Sequence, residues 1–178
     1  TMVMVVSEQG NALPFAKWTC YESGVQSAML VRWPGKVKAG SRTSAMVEYV
    51  DVLPTFVEAA GGNPATVLDG RSFLSVIKGQ AKRHKDYVYA EMTTRGIING
   101  SETFGIRSVR GERYKYIRNF TPEIEFRNAC TKSKEFQSWV AKANAGDKDA
   151  LDKVRRYRHR AGVEVYDLEN DPYEWSNL

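Results

Sequence analysis

The stretch FGIRSVRGERYKYIR, residues 104–118, alternates apolar and polar side chains on both sides of the pair Gly111-Glu112. Strict alternation is typical of a strand with one buried and one solvent-facing side, and a glycine favours a tight turn. We therefore predict an antiparallel hairpin, with strands at 104–109 and 114–118.

Similar patterns extend the predicted sheet along the chain in both directions. Residues 87–92 and 163–168 also alternate, so we expect four strands in an antiparallel sheet with one wet face. Residues 133–145 and 149–160 show the spacing of amphipathic helices. Together these patterns predict an α+β subdomain with packed helices over residues 81–178.

The first eighty residues have a different character. Residues 1–6, TMVMVV, form a continuous apolar run, which predicts a strand buried on both faces of a parallel sheet whose other strands lie upstream. We expect a second apolar strand at 28–33 and helices at 50–60 and 72–78, each helix ended by a glycine. These features favour an α/β fold over residues 1–80, as the C-terminal piece of a larger core.

Composition excludes several classes of protein. The chain has 178 residues, of which 42% are hydrophobic and 26% charged, so a packed core is expected and global disorder is not. No apolar run approaches the roughly 20 residues of a membrane-spanning helix, and we expect no membrane partner. The net charge of +5 fits an anionic partner or, equally well, an ordinary basic surface. Two cysteines, Cys20 and Cys130, allow at most one internal disulfide.

Seven short motifs follow one another along the chain. They are Ser7-Glu-Gln-Gly10, Lys17-Trp-Thr-Cys-Tyr-Glu-Ser-Gly24, Val31-Arg-Trp-Pro-Gly35, Val50-Asp-Val-Leu-Pro-Thr55, Asp69-Gly-Arg-Ser72, Tyr114-Lys-Tyr-Ile117 and Tyr166-Asp-Leu-Glu-Asn-Asp-Pro-Tyr-Glu174. In this order they resemble the C-terminal part of the type I sulfatases (the arylsulfatase family), whose core is alkaline-phosphatase-like. The segment 157–167 is most similar to the heparan N-sulfatase (N-sulfoglucosamine sulfohydrolase) branch.

The resemblance implies hydrolysis of sulfate esters or N-sulfates in a sulfated sugar, such as a heparan-type glycosaminoglycan. It also implies a divalent cation, usually Ca²⁺, and a formylglycine made from the first residue of a Cys/Ser-x-Pro/Ala-x-Arg motif. Neither Cys20 nor Cys130 lies in such a motif. The formylglycine is therefore expected in an N-terminal part of the same protein, which this chain needs as a partner, and the chain alone is expected to be inactive. A periplasmic, secreted or lysosomal location is implied as well.

The same resemblance assigns residues of the site. Glu8 and Gln9 match an acidic residue and an amide that supply metal ligands, although the family usually has Asp in the first position. Calcium prefers carboxylate and carbonyl oxygens, which this pair offers. Lys17 matches a lysine that contacts the substrate sulfate and the nucleophile, so it is the expected catalytic and substrate-binding residue. Arg95 and Arg107 are expected to bind substrate from the rim of the pocket.

Two other functions stay open at this point. A phosphatase, phosphodiesterase or phosphonate hydrolase of the alkaline phosphatase superfamily would bind metal through Asp and His clusters, but this chain has two histidines. We expect His84 to be solvated in a basic linker and His159 to lie at a helix end.

The third possibility is a non-catalytic module that binds sulfated glycan or nucleic acid. The predicted buried first strand argues against an independent module, and nucleic acid is not the expected partner. Strand alternation would put only about half of the candidate surface residues on one face. These residues are Tyr87, Tyr89, Arg107, Arg110, Tyr114, Lys115 and Tyr116.

Overall fold

The computed structural model describes residues 1–65 and 67–178. The described elements follow the chain as β1 (Val3–Val6), α1 (Glu22–Val25), β2 (Met29–Arg32), α2 (Val52–Ala59), α3 (Leu74–Ile77), β3 (Val88–Thr93), β4 (Gly105–Arg110), β5 (Tyr114–Asn119), α4 (Lys134–Asn144), α5 (Lys148–Arg158) and β6 (Val163–Asp167). Every strand and helix expected from the sequence is present within a few residues of its predicted bounds. None of the described helices is both long and apolar enough to cross a membrane.

Contacts divide the chain into two compact units. The first contains residues 1–7 and 28–88, and the second contains residues 8–27 and 89–178. The segment 8–27 thus packs with the C-terminal residues, although it precedes β2 in sequence. A domain boundary near residue 80 stays a prediction.

Strand β1 differs from its prediction. It pairs with β2 in an antiparallel sheet, with Val3 opposite Arg32 and Val6 opposite Met29. Three of its side chains are substantially exposed: Val3 by 47%, Val5 by 56% and Val6 by 42%. Within this chain β1 is thus antiparallel to β2, and its burial between parallel strands that lie upstream stays a prediction. Pairing with one neighbouring strand satisfies one edge of β1 and covers neither of its faces.

In the first unit, two of the family-like motifs pack against each other. The buried carboxylate of Asp51, just before α2, accepts hydrogen bonds from the backbone N–H groups of Glu48 and Arg71, both at 2.9 Å. Gly70 lies so close that an added Cβ would sit 2.0 Å from the carbonyl oxygen of Val50. The motifs at 50–55 and 69–72 therefore hold the start of α2 against the segment that precedes α3.

His84 is buried, and the prediction of a solvated linker residue is wrong. Its Nε2 lies 3.3 Å from one carboxylate oxygen of Asp51, and the ammonium of Lys85 lies 2.9 Å from the other. Burial lowers the pKa of His84, which favours the neutral imidazole. His84 and Lys85, both from the predicted basic linker, therefore contact the same buried carboxylate, that of Asp51.

The second unit is built on a four-stranded antiparallel sheet, as predicted. Its strands lie in the order β3-β4-β5-β6. The backbone N–H of Gly111 donates to the carbonyl of Tyr114 at 2.9 Å, which closes the hairpin between β4 and β5. In the register, Arg107 lies opposite Arg118, and Tyr116 lies opposite Val165.

One face of this sheet packs on an aromatic core. The ring of Tyr157, from α5, lies 5.4 Å from Phe126 and 5.2 Å from Phe136 of α4, centroid to centroid. Ile106 and Ile117 join this cluster from the sheet, and both are fully buried. The packed helices and the sheet thus form a single core, which also supports the segment 8–27.

Candidate functional site

The candidate site lies on the segment 8–27, which belongs to the second unit. The N–H of Ser7 donates to the carbonyl of Ala28 at 2.9 Å, so the two ends of this segment meet at the end of β1. Within the segment, the N–H of Lys17 donates to the carbonyl of Asn11 at 3.1 Å. Gly10 has a φ of +55°, and a Cβ there would lie 3.0 Å from the nitrogen of Lys17. A glycine therefore allows the start of the segment to pass close to Lys17.

This path brings two of the predicted site residues together. The ammonium of Lys17 donates a hydrogen bond to the carboxylate of Glu8 and also lies 5.6 Å from the centre of the Trp18 ring. Gln9 follows Glu8 and is exposed. The predicted metal ligand and the predicted sulfate ligand therefore form one cluster of opposite charges.

Aromatic packing holds the segment beside Lys17. The ring of Phe15 lies 5.0 Å from Tyr157 and 5.2 Å from Trp175, centroid to centroid. Phe15 and Trp18 have φ values of +63° and +65°, which are uncommon for residues with a side chain. Such backbone costs about 1–3 kcal/mol per residue and persists where packing compensates for it. The two strained residues flank Lys17, and the aromatic core determines where its backbone lies.

A buried carboxylate anchors the end of this segment. Glu164 of β6 accepts hydrogen bonds from the hydroxyls of Tyr21 at 2.7 Å and Tyr166 at 2.6 Å. Its other oxygen accepts from the amide of Asn119 at 2.6 Å and the guanidinium of Arg160 at 3.0 Å. Burial alone would raise the pKa of Glu164, but Arg160 and these hydrogen bonds hold it below its usual range. Burial also raises the pKa of Tyr21 to about 12, so its hydroxyl stays a donor.

A second cluster with buried charges fixes α1, which follows Lys17 within the segment 8–27. The ammonium of Lys115 lies 2.9 Å from Glu22 and 3.3 Å from Glu174, and Arg110 lies 3.1 Å from Glu22. Glu174 also accepts a hydrogen bond from the backbone N–H of Glu22 at 2.6 Å. Burial raises the pKa of Glu174. The residues of this cluster join α1, the sheet and the C-terminal turn.

Sequence reasoning missed both buried clusters. Tyr166 and Glu174 belong to a motif that carried the family resemblance, but the pattern assigned them no role. The sequence predicts Lys115 as a candidate surface residue, whereas it is buried on the inner side of β5. The signal for its burial is the two-residue spacing from Ile117, because residues two apart in a strand lie on the same face.

The donor set at Glu8 and Gln9 fits calcium in type but not in number. A carboxylate and a side-chain amide offer the oxygens that calcium prefers, yet calcium takes about six to eight of them. Throughout residues 1–65 and 67–178, no group of three or more His, Cys, Asp or Glu could hold a metal ion. A calcium site at this pair would therefore need further oxygen ligands, and the ligand roles of Glu8 and Gln9 stay predictions.

The two predicted arginine ligands lie elsewhere in the second unit. Arg95 is exposed in the turn after β3, and Arg107 is exposed on β4, 3.2 Å from Glu91. The neighbours of Arg107 in the strand, Ile106 and Ser108, are buried on the core side, where Tyr21 also packs. The structure thus places Arg107 on the sheet face opposite to the segment of Lys17. Substrate contacts of Arg95 and Arg107 stay predictions.

The fold of this chain is found in solved sulfatase structures. A solved structure of a 2-O GAG sulfatase shares this fold with a TM-score of 0.65 and 20% sequence identity. The alignment covers 99% of this chain and 31% of that one. The predicted fold class, with an α/β piece and a four-stranded antiparallel sheet, is confirmed.

Sequence comparison narrows the class to one family. The family model for N-sulphoglucosamine sulphohydrolase, C-terminal, matches residues 10–147, and the chain belongs to this family. An ulvan-active sulfatase from Formosa agariphila is 36% identical over 162 residues, which span 91% of this chain and 30% of that protein. N-sulphoglucosamine sulphohydrolase from Homo sapiens is 26% identical over 194 residues, covering 100% of this chain and 37% of that protein. The chain thus spans about a third of the length of these curated relatives, and the predicted resemblance is confirmed.

Proposed function

We propose that the protein carrying this chain is a sulfatase that hydrolyses sulfate esters or N-sulfates on a sulfated carbohydrate. The observation that carries the proposal is the contact of Lys17 with Glu8 after β1, in a chain of the N-sulphoglucosamine sulphohydrolase family. The names of the similar proteins support a sugar substrate, since they refer to ulvan, N-sulphoglucosamine and GAG. A periplasmic, secreted or lysosomal location is part of the proposal.

In this proposal, Lys17 binds and orients the sulfate group. Its ammonium is a compact charge with three donors, which suits a sulfate oxygen whose negative charge grows during the reaction. The strained and packed backbone on both sides of Lys17 fixes the direction from which this charge approaches. The formylglycine nucleophile is expected from the N-terminal part of the same protein.

Glu8 and Gln9 would hold a divalent cation, for which we propose Ca²⁺. When bound, the cation supplies positive charge that polarises the sulfate oxygens. In this structure the Glu8 carboxylate forms an ion pair with the ammonium of Lys17. When substrate binds, a sulfate oxygen would replace the carboxylate as the anion beside Lys17, and Glu8 would then be available as a metal ligand.

The test uses the full-length protein and N-sulfoglucosamine as substrate. Lys17→Ala is expected to lower kcat/KM about 100-fold, because a charge that stabilises the transition state is lost. Glu8→Ala and Gln9→Ala are expected to weaken calcium binding, measured by calorimetry independently of turnover. Lys142→Ala, on the exposed side of α4, is the matched control. Unchanged calcium affinity in both Glu8→Ala and Gln9→Ala would show that the ligand assignment is wrong.

A further inference from the structure

The solvent-facing side of the four-stranded sheet has an unusual composition. We call it the outer sheet face and define it by its exposed residues Tyr89, Glu91, Arg107, Tyr114, Tyr116 and Arg118. The contact of Glu91 with Arg107 shows that the exposed residues of β3 and β4 share this face. Tyr89, Tyr114 and Tyr116 are exposed by 67%, 51% and 40%. An ordinary solvent-facing sheet side is polar, so three exposed aromatic rings indicate a surface for contact.

The charges on this face favour an anionic ligand. Arg107 lies directly opposite Arg118 in the register, and like charges in that position destabilise a sheet. Glu91 reaches Arg107, but no carboxylate among the described residues pairs with Arg118. Lys115, which points to the opposite side of β5, contrasts with this, because two carboxylates neutralise it. The outer sheet face thus carries a guanidinium whose planar donors match sulfate oxygens.

The aromatic rings favour a sugar chain. Tyr114 and Tyr116 are two residues apart on one side of β5, which places their backbones about 7 Å from each other. The guanidinium of Arg113 lies 5.0 Å from the centre of the Tyr114 ring, on one of its faces. The other face of Tyr114 and the ring of Tyr116 offer apolar surfaces on which the C–H groups of a sugar ring stack, while the hydroxyls reach water. A protein partner that covered this face would have to bury Arg118 and supply a carboxylate for it. A sulfated polysaccharide offers an anion to Arg118 without burying it, because each sulfate is carried on a hydrated sugar.

We propose that the outer sheet face is a non-catalytic binding surface for sulfated polysaccharide chains. It would hold the polymer while one of its sugars reacts elsewhere in the protein. This proposal rests on the proposed sulfatase function in one respect, the choice of a sulfated polymer as the ligand. Its binding is measurable without turnover.

The experiment uses the full-length protein with Lys17→Ala as background, so that sulfate binding through Lys17 is removed. The probes are heparin oligosaccharides and the same oligosaccharides after chemical desulfation. Arg118→Ser with Tyr116→Ser is expected to weaken binding of the sulfated probe about tenfold and to reduce its dependence on salt. The matched control replaces Arg155 and Tyr173 by serine, which are exposed away from the sheet. We expect no change for this control and weak binding of the desulfated probe throughout.

Three outcomes would overturn the proposal. The first is unchanged affinity and salt dependence in the Arg118→Ser, Tyr116→Ser protein. The second is an equal loss of affinity in the Arg155, Tyr173 control, which would indicate general basic charge. The third is a change of oligomeric state in light scattering with polymer affinity intact, which would indicate an interface between copies. Failure of the proposed function has a separate readout: a protein with Lys17 present that releases sulfate neither from N-sulfoglucosamine nor from a sugar sulfate ester.

Discussion

At the scale of single residues, Glu164 determines the position of the segment that carries Lys17. Its carboxylate accepts hydrogen bonds from Tyr21, Tyr166, Asn119 and Arg160, and all of these side chains are largely or fully buried. Arg160 is charged and nearly inaccessible to water, so it depends on Glu164 for compensation. The carboxylate and its four donors therefore act as one unit.

Glu164→Gln tests this unit, because it keeps the shape of the side chain and removes its charge. An amide has one acceptor oxygen, and its NH₂ group would face donors. We expect the free energy of unfolding to fall by about 3–5 kcal/mol, as for other buried charges left unpaired, measured by urea denaturation of the full-length protein. Glu169→Gln, at an exposed position, is the control and should change it by less than about 0.5 kcal/mol. Equal effects of the two variants would contradict the role of Glu164.

At the scale of secondary-structure elements, the two longest helices begin at side-chain caps. The hydroxyl of Ser133 accepts the N–H of Phe136 at 3.2 Å, and the carboxylate of Asp147 accepts the N–H of Ala150 at 3.0 Å. Both helices place aromatic residues against the inner side of the sheet. Their first turns therefore influence the core on which Phe15 packs.

Asp147→Ala removes the cap of α5. We expect a loss of about 1 kcal/mol in the free energy of unfolding, because a backbone N–H in the first turn loses its acceptor. Asp152→Ala removes the same charge from the middle of the helix, where no cap is lost, and should not destabilise the protein. Thermal unfolding of both variants, followed by circular dichroism, distinguishes the cap from a general effect of charge.

At the scale of the whole molecule, buried carboxylates link stability to pH in both units. Asp51 and Glu164 have pKa values below their usual range, although burial opposes the shift, because cations and hydrogen-bond donors surround them. Their stabilisation is fully present above the carboxyl pKa of the unfolded chain, about 4, and is lost as the pH falls through their native pKa values. Glu174 acts in the opposite sense, since burial raises its pKa.

We therefore expect Asp51 and Glu164 to change the melting temperature little between pH 7 and 5. Below about pH 4, protonation of these two carboxylates should make the melting temperature fall steeply. Asp51→Asn should lower the melting temperature at pH 7 and make the decline below pH 4 less steep, because one titrating group is removed. Asp152→Asn, at an exposed position, is the control for the change of charge. A decline of the same steepness in Asp51→Asn would exclude Asp51 as a source of the acid sensitivity.

The sequence by itself determined the positions of the strands and helices and the family. Alternation at 104–118 is a local pattern, and the turn at Gly111 needs no distant residue, so the hairpin follows from the sequence alone. The ordered motifs likewise placed Glu8 and Lys17 in one site, and the structure brings these two side chains together.

The tertiary structure alone decided which polar residues are buried and what they contact. Tyr21 and Glu164 are 143 positions apart, and Lys115 and Glu22 are 93 apart, so no local pattern predicts that they meet. It also decided that β1 pairs with β2 in an antiparallel sheet, that the side chain of His84 is buried and that Arg107 lies on the outer sheet face. The physical reason is that periodicity reports which residues prefer burial, whereas actual burial depends on which distant segments pack against them.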